Sequence, residues 1–188
     1  AEAIPVSRDV TIMGGNVTID GEAGLYLAPV ADNITITIDG VRLDGQSTKS
    51  NYGIYIRNYG EHTGVRLIVR NCVVKNIYPD GANTRGSGGI GSMGEFDSVV
   101  FENNYVENVR RAIGAVAGSQ SATGISAAAT TGDVYIQNNR IINILSNAID
   151  DYVDADAIAV FTPSANWGRA QHNVVITGNY IKNASGRF

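Results

Sequence analysis

The sequence predicts an all-β protein folded as a parallel β-helix of about six coils. The first observation is a short phrase that occurs five times. It has an apolar residue, then mainly polar or turn-forming residues, and a second apolar residue five positions after the first. The second observation is spacing, because successive copies begin 31, 32, 35 and 40 residues apart, as in solenoid repeats. The copies begin at Ile38, Val69, Phe101, Ile136 and Ile176, and a weaker copy begins at Ile12.

A strand is predicted to lead into each phrase. These segments are rich in β-branched and aromatic residues, which favour strands, and no long stretch has the 3.6-residue period of a helix. The intervals hold fewer strands than a propeller blade needs, which favours a solenoid. The segments are Ile34–Ile38, Val65–Val69, Val99–Phe101, Val134–Ile136 and Val174–Ile176.

Asparagine and glycine mark the predicted corners between strands. Both residues tolerate the positive φ of a tight corner, where a β-branched residue would be strained. Stacked asparagine side chains can also hydrogen-bond from coil to coil, as amide ladders do. In four phrases an asparagine follows two positions after the second apolar residue, and these four are Asn76, Asn108, Asn143 and Asn183.

A third strand in each coil is predicted from short apolar segments, several of which begin with a small residue followed by Ile. Coil length increases toward the C-terminus, so we expect the additional residues to form loops outside the helix, where repeat proteins often bind ligands. We interpret residues 118–132 as a lid or a contact between protomers. The candidate strands are Leu25–Leu27, Gly53–Ile56, Gly89–Gly91, Ala112–Val116, and either Ala148-Ile149 or Ala157–Val160.

Composition limits the possible function classes. The 188 residues are sufficient for a single domain, residues 1–188, and a net charge of −4 without Lys/Arg runs argues against nucleic-acid binding. No apolar run approaches 18 residues, so we expect no membrane insertion. The single cysteine, Cys72, excludes a disulfide framework and is predicted to be buried at a corner. The sequence predicts no cofactor and no metal site.

The C-terminal residues suggest that the β-helix continues or is covered. Residues 182–188 contain no recognisable polar cap, and an uncapped coil exposes an open strand edge. We therefore expect either a fragment of a longer β-helix or a homotrimer whose neighbours cover the ends.

This pattern of strand, asparagine corner and strand resembles the right-handed, single-stranded parallel β-helix superfamily of pectate lyases, polygalacturonases and phage tailspikes. The sequence looks most like a bacteriophage tailspike depolymerase, because it shows no signal peptide, no disulfide framework, and an opening, Arg8–Ile12 then Val17–Gly21, like the first coils of such proteins. The resemblance implies an extracellular homotrimer on the virion tail that binds and cuts bacterial surface polysaccharide. The Asn-Thr-Asp-Gly and Arg-Ile-Lys elements of polygalacturonases and the calcium cluster of pectate lyases are absent from the sequence.

The densest acidic segment supplies the candidate catalytic residues. Asp151, Asp154 and Asp156 are the candidates, since neighbouring carboxylates raise one another's pKa and a glycosidase needs one protonated and one ionised carboxyl group. In an extended segment the side chains of Asp154 and Asp156 would lie roughly 6–7 Å apart, a separation that suits inversion. A solvated acidic loop or a cation site is the alternative interpretation.

Substrate-binding candidates surround this segment. Asp150 and Tyr152 belong to it, Trp167 lies in a polar loop suited to stacking on a sugar ring, and Arg111 could bind a sugar carboxylate bidentately. We align Arg111 with Asn147 of the next coil, which would bring it close to Asp150 and Asp151. An Arg that only neutralises the aspartates is the alternative.

Three functions follow from these residues. The first is an endo-acting hydrolase of bacterial surface polysaccharide that uses paired carboxylates. The second is a polysaccharide lyase with Tyr152 as the base and Arg111 beside the uronate carboxylate. The third is a non-enzymatic adhesin or structural β-helix. The glycan, the linkage, and whether a site lies within one chain or between protomers do not follow from the sequence.

Overall fold

A computed structural model describes residues 2–19, 23–46, 51–59, 62–78, 87–110, 122–128, 132–145, 155–161 and 173–185. Every regular element in these ranges is a β-strand. The strands are β1 (Ile4–Val6), β2 (Val10–Met13), β3 (Asn16–Thr18), β4 (Ala23–Pro29), β5 (Thr35–Asp39), β6 (Arg42–Asp44), β7 (Tyr52–Asn58), β8 (Arg66–Arg70), β9 (Val73–Ile77), β10 (Ser87–Gly94), β11 (Ser98–Glu102), β12 (Tyr105–Arg110), β13 (Ala122–Ala128), β14 (Asp133–Gln137), β15 (Arg140–Leu145), β16 (Ala155–Phe161), β17 (Val174–Thr177) and β18 (Tyr180–Ser185).

The strands form three sheets of six strands each. Sheet 1 consists of β1, β4, β7, β10, β13 and β16, and each coil continues from it into sheet 2 and then sheet 3. Sheet 2 consists of β2, β5, β8, β11, β14 and β17, and sheet 3 of β3, β6, β9, β12, β15 and β18. Every strand pairs in parallel with its counterpart in the next coil. The predicted all-β parallel helix of six coils is confirmed.

The corner between sheets 2 and 3 is the most regular part of the molecule. Two residues separate the two strands in all six coils, so the variation in coil length falls in the other two connections. The first corner residue has positive φ, for example 55° at Asn71, 54° at Asn103 and 70° at Gly40. Asparagine and glycine occupy this position because they adopt the left-handed region at small cost.

A ladder of asparagines lines the inside of this corner, with Asn104 and Asn139 buried and Asn179 half-buried. The Nδ2 of Asn104 donates to Oδ1 of Asn139 (3.1 Å), and the Nδ2 of Asn139 donates to Oδ1 of Asn179 (2.9 Å). The same Oδ1 atoms accept the backbone N–H of Asn104 and of Asn139, both at 2.9 Å. Cys72 occupies the equivalent position one coil earlier and is 1% exposed, as predicted. Desolvation raises the pKa of its thiol.

A second ladder runs along the outside of sheet 3. Its asparagines have φ between 55° and 57° within their strands, and each donates its Nδ2 to the Oδ1 of the asparagine in the preceding coil. The ladder ends at Asp44, whose Oδ1 accepts a hydrogen bond from the Nδ2 of Asn76 at 3.0 Å. Its members are the four asparagines that the spacing singled out, Asn76, Asn108, Asn143 and Asn183, and they lie within the strands of sheet 3.

The core is a stack of aliphatic side chains enclosed by the three sheets. Ile38, Val69, Phe101 and Ile136 occupy one column of sheet 2 and are fully buried. Burial of such columns removes apolar surface from water in every coil, which is the main stabilising contribution to a solenoid. The buried side-chain columns therefore stabilise the fold, and the residues on the outer faces of the sheets are available to bind ligands.

Sheet 1 confirms the predicted third strand in four coils and corrects it in a fifth. Leu25–Leu27, Gly53–Ile56 and Gly89–Gly91 lie in β4, β7 and β10, and Ala157–Val160, one of two alternatives, lies in β16. In the coil between them the strand is Ala122–Ala128, whereas Ala112–Val116 lies outside the described residues.

The interpretation of residues 118–132 as a lid or a protomer contact is therefore wrong for the segment that forms β13. Ala122, Ile125 and Ala127 of this strand are fully buried in the core. The interval holds two segments of a small residue followed by Ile, Ala112-Ile113 and Gly124-Ile125, and the second lies in the core strand β13.

Candidate functional site

The predicted catalytic segment enters the described structure only at Asp156. This residue is the second of β16 in sheet 1, and its side chain is half-buried. The other six candidates, Asp150, Asp151, Tyr152, Asp154, Arg111 and Trp167, lie outside the described residues.

Sheet 1 differs from the other two sheets in its low charge. Its six strands contain only two charged residues, Arg57 in β7 and Asp156 in β16. The strands of sheet 3 contain seven, in β6, β9, β12, β15 and β18. A long polar ligand laid across sheet 1 would therefore encounter one cationic and one anionic position on a largely uncharged surface.

Asp156 faces the same side of sheet 1 as a group of tyrosines. The register aligns Tyr52 with Gly88, Gly88 with Thr123, and Thr123 with Asp156. Residues in one column of a parallel sheet project to the same face, and three coil spacings of about 4.8 Å place Asp156 roughly 14 Å from the level of Tyr52. The carboxylate and the aromatic group thus share one face and are separated along the helix axis.

The aromatic group is built from two adjacent coils. The rings of Tyr52 and Tyr55 stack with centroids 4.3 Å apart, and the ring of Tyr26 lies 5.8 Å from that of Tyr55. Tyr52 and Tyr55 lie over glycines of the next coil: a Cβ on Gly88 would come within 2.9 Å of the Tyr52 ring, and one on Gly91 within 3.2 Å of the Tyr55 ring. The glycines let the rings lie flat on the sheet. We call Tyr26, Tyr52, Tyr55 and Tyr59 the tyrosine platform.

Tyr55 is the most enclosed member of the platform. Burial raises the pKa of its phenol well above the ordinary value, and the neighbouring Tyr52 raises it further, while Arg57 acts in the opposite direction. Its hydroxyl donates to the sulfur of Met93 at 3.3 Å. The phenol is therefore neutral at ordinary pH and serves as a fixed support for the neighbouring rings.

Arg57 lies at the edge of the platform, held between two tyrosines. Its Nη1 donates to the Tyr26 hydroxyl at 2.8 Å, and its guanidinium carbon lies 3.9 Å from the ring centroid of Tyr59. Tyr59 remains 49% exposed. A guanidinium in this position combines stacking with directed N–H donors.

A pocket of about 150 Å³ opens beside this arginine. Aliphatic residues from the end of β4 form one side, and Arg57 with the platform edge forms the other. The lining residues are Tyr26, Ala28, Pro29, Val30, Arg57, Asn58 and Tyr59.

Two further observations concern metals and membranes. Within the described ranges, no group of three or more His, Cys, Asp or Glu side chains is placed to hold a metal ion. In the same ranges no helix has the length and hydrophobicity needed to span a bilayer.

Sequence reasoning identified part of this face and missed the rest. It identified Asp156, but it did not identify Tyr26 or Arg57 as residues of the same face. The positions of Tyr26 and Arg57 follow from the register of sheet 1. In this register Tyr26 pairs with Tyr55, and Arg57 pairs with Met93. Aligning the small-residue positions Gly24, Gly53 and Gly89 would have placed Tyr26 opposite Tyr55.

Comparison with characterised proteins and with solved structures gave no match. A family model described as the right-handed β-helix region matches residues 12–187, which is nearly the whole chain. The match agrees with the three parallel sheets and the two-residue asparagine corners. The chain therefore belongs to the right-handed β-helix family.

Proposed function

We propose that the chain is part of a tailspike-type, endo-acting depolymerase that binds bacterial surface polysaccharide along sheet 1 and hydrolyses its glycosidic bonds. The observation that carries the proposal is the tyrosine platform on the same face as Asp156. Tyrosine rings offer flat apolar surfaces with a polar edge, which suits the faces and hydroxyl groups of sugar rings. The extent of the face, roughly 14 Å from platform to carboxylate, suits a chain-like substrate.

Hydrolysis requires a second carboxyl group near Asp156. Retaining enzymes place the two groups about 5–5.5 Å apart, and inverting enzymes about 6.5–9.5 Å apart to admit a water molecule. Asp151 and Asp154 are the proposed partners because they lie within five residues of Asp156 in the sequence. One carboxylic acid would protonate the leaving oxygen, and the other carboxylate would activate water or attack the sugar. Asp150, Tyr152, Trp167 and Arg111 are the proposed substrate contacts.

The proposal extends to assembly and location. A homotrimer on the tail of a virion would act outside the host cell and would meet capsular or lipopolysaccharide chains. Neighbouring protomers in such an assembly can complete a site that one chain supplies in part.

A reducing-end assay on a panel of bacterial capsular polysaccharides, read together with absorbance at 235 nm, tests the proposed activity. We expect new reducing ends without absorbance, and a loss of roughly hundredfold or more in Asp156→Asn. Glu107→Gln on sheet 3 is the matched control and should retain activity. New absorbance would indicate an unsaturated uronate and the lyase, with Tyr152 and Arg111 as its candidates. Equal activity of Asp156→Asn and wild type would refute the role of Asp156.

A non-enzymatic glycan-binding protein is the second candidate. It is favoured by the fact that the described part of sheet 1 carries an aromatic platform but only one carboxylate, Asp156. Retention of the chain on immobilised polysaccharide, without release of reducing ends by the full-length trimer, would support this function over the depolymerase.

A further inference from the structure

We infer that the pocket around Arg57 is an anion subsite that takes the carboxylate of an acidic sugar. The inference rests on the proposed function, since it names the class of sugar that sheet 1 would bind. It concerns residues distinct from the predicted catalytic segment, and it differs from the sequence-based assignment of carboxylate binding to Arg111.

The first support is an unused donor. The Nε of Arg57 is buried and has no hydrogen-bond partner, although the same guanidinium donates through Nη1 to Tyr26. A buried donor without a partner costs free energy, and such groups in folded proteins commonly mark a site that a ligand or water completes. A carboxylate accepts two parallel N–H bonds from one guanidinium edge, so it would satisfy Nε and an Nη together.

The second support is that the described residues supply no counter-charge to Arg57. No acidic side chain of the described residues lies within ion-pair distance of Arg57. Arg70, by contrast, lies 2.8 Å from Asp39 and 4.0 Å from Glu102. A partly desolvated cation without a carboxylate attracts an anion more strongly than a cation that is already paired.

The third support is the shape of the pocket. Its volume of about 150 Å³ is roughly tenfold more than one water needs, which leaves room for a carboxylate and part of the attached ring. Ala28, Pro29 and Val30 offer an apolar wall to the ring carbons. Tyr59 holds the guanidinium by stacking, which keeps it oriented before the ligand arrives.

The buried Nε–H gives a direct readout that does not depend on catalysis. We would follow the ¹H–¹⁵N resonance of the Arg57 Nε while the folded chain is titrated with sodium glucuronate and, separately, with methyl glucoside. Glucuronate should shift this resonance and methyl glucoside should not. An equal response to both sugars, or no response to glucuronate, would overturn the anion subsite.

Variants make the same test by affinity. Arg57→Gln should weaken glucuronate binding roughly ten- to hundredfold, as expected for loss of a charge-assisted pair. Arg42→Gln, which removes an exposed arginine of sheet 3, is the control. If Arg57→Gln does not fold, Tyr26→Phe removes only the hydroxyl that orients the guanidinium and should still weaken glucuronate binding several-fold. Unchanged affinity in the folded variant would contradict the inference.

The outcomes separate the subsite from the proposed function. If the chain shows the glucuronate-specific shift but cuts no polysaccharide, the result supports the anion subsite and contradicts the depolymerase. If the chain cuts a neutral polysaccharide and shows no such shift, the result supports the depolymerase and contradicts the anion subsite.

Discussion

Sheets 1 and 3 are built from the same six coils, yet their polar groups are used differently. On sheet 3, Lys75 pairs with Glu107 at 3.1 Å, and Asn76, Asn108 and neighbouring asparagines bond one another from coil to coil. On sheet 1, the rings of Tyr52 and Tyr55 stack beside Arg57, which has no carboxylate of the described residues within ion-pair distance. The difference teaches that polar side chains of sheet 3 join one coil to the next, whereas the described strands of sheet 1 present stacked aromatic rings beside a single cation, Arg57.

The largest effect is expected where the corner ladder is broken. Asn139→Ala removes the acceptor of two Asn104 donors and a donor to the Phe101 carbonyl, and it leaves the buried backbone N–H of Asn104 without its Oδ1 acceptor. We expect a loss of about 3 kcal/mol or more in the free energy of unfolding, measured by urea denaturation. Asn183→Ala, at the exposed end of the outer ladder, should cost less than about 1 kcal/mol. Similar losses in both variants would contradict the distinction between the ladders.

Sheet 1 is tightly constrained where its strands approach the side chains of sheet 3. A Cβ on Gly89 would overlap the Val106 side chain and come within 2.6 Å of the Gly124 carbonyl oxygen. We expect Gly89→Ala to destabilise the chain by about 2 kcal/mol in thermal or urea unfolding. Gly88→Ala meets only the movable ring of Tyr52, so its main effect should be on ligand binding. A greater loss of stability in Gly88→Ala would show that the platform itself supports the fold.

The buried phenol of Tyr55 predicts a loss of stability in alkali. The pKa of the Tyr55 phenol is higher in the folded chain than the unfolded value near 10. The stability of the folded chain is therefore fully present below pH 10 and decreases as the pH rises above 10, because the unfolded chain then loses its phenol proton first. We expect wild type to lose about 1 kcal/mol relative to Tyr55→Phe between pH 9 and pH 11, measured by urea denaturation at each pH. A constant difference between the two chains over this interval would show that the phenol is not desolvated.

A smaller and opposite effect is expected at Cys72. The Oδ1 of Asn104 already accepts the Cys72 backbone N–H at 3.0 Å, so an asparagine at position 72 would extend the ladder by one coil. We expect Cys72→Asn to stabilise the chain by roughly 0.5–1 kcal/mol. Cys72→Val, of similar size but without an amide, is the control and should not stabilise it. A destabilised Cys72→Asn chain would mean that this corner lacks room for the amide.

The sequence was sufficient to predict the regular parts of the molecule. Sheets 2 and 3 follow from phrases such as Ile136–Ile141, because the two-residue corner keeps their register constant in every coil. Sheet 1 was harder because connections of variable length precede its strands, and two segments, Ala112-Ile113 and Gly124-Ile125, matched the same pattern. The site depended on that register. Tyr26 and Arg57 are 31 residues apart in sequence and meet only because β4 and β7 are adjacent.

Affinity for polysaccharide in matched tyrosine variants tests most directly whether sheet 1 is the functional face. Tyr59 and Tyr105 each lie beneath a cationic side chain, Arg57 on sheet 1 and Lys75 on sheet 3. Affinity electrophoresis in gels containing an acidic capsular polysaccharide should show strong retardation of wild type and of Tyr105→Ala. Tyr59→Ala should be retarded much less, with an apparent affinity reduced roughly tenfold because the aromatic contact and the orientation of Arg57 are both lost. Equal retardation of the two variants, or loss of binding in Tyr105→Ala alone, would contradict the assignment of polysaccharide binding to sheet 1.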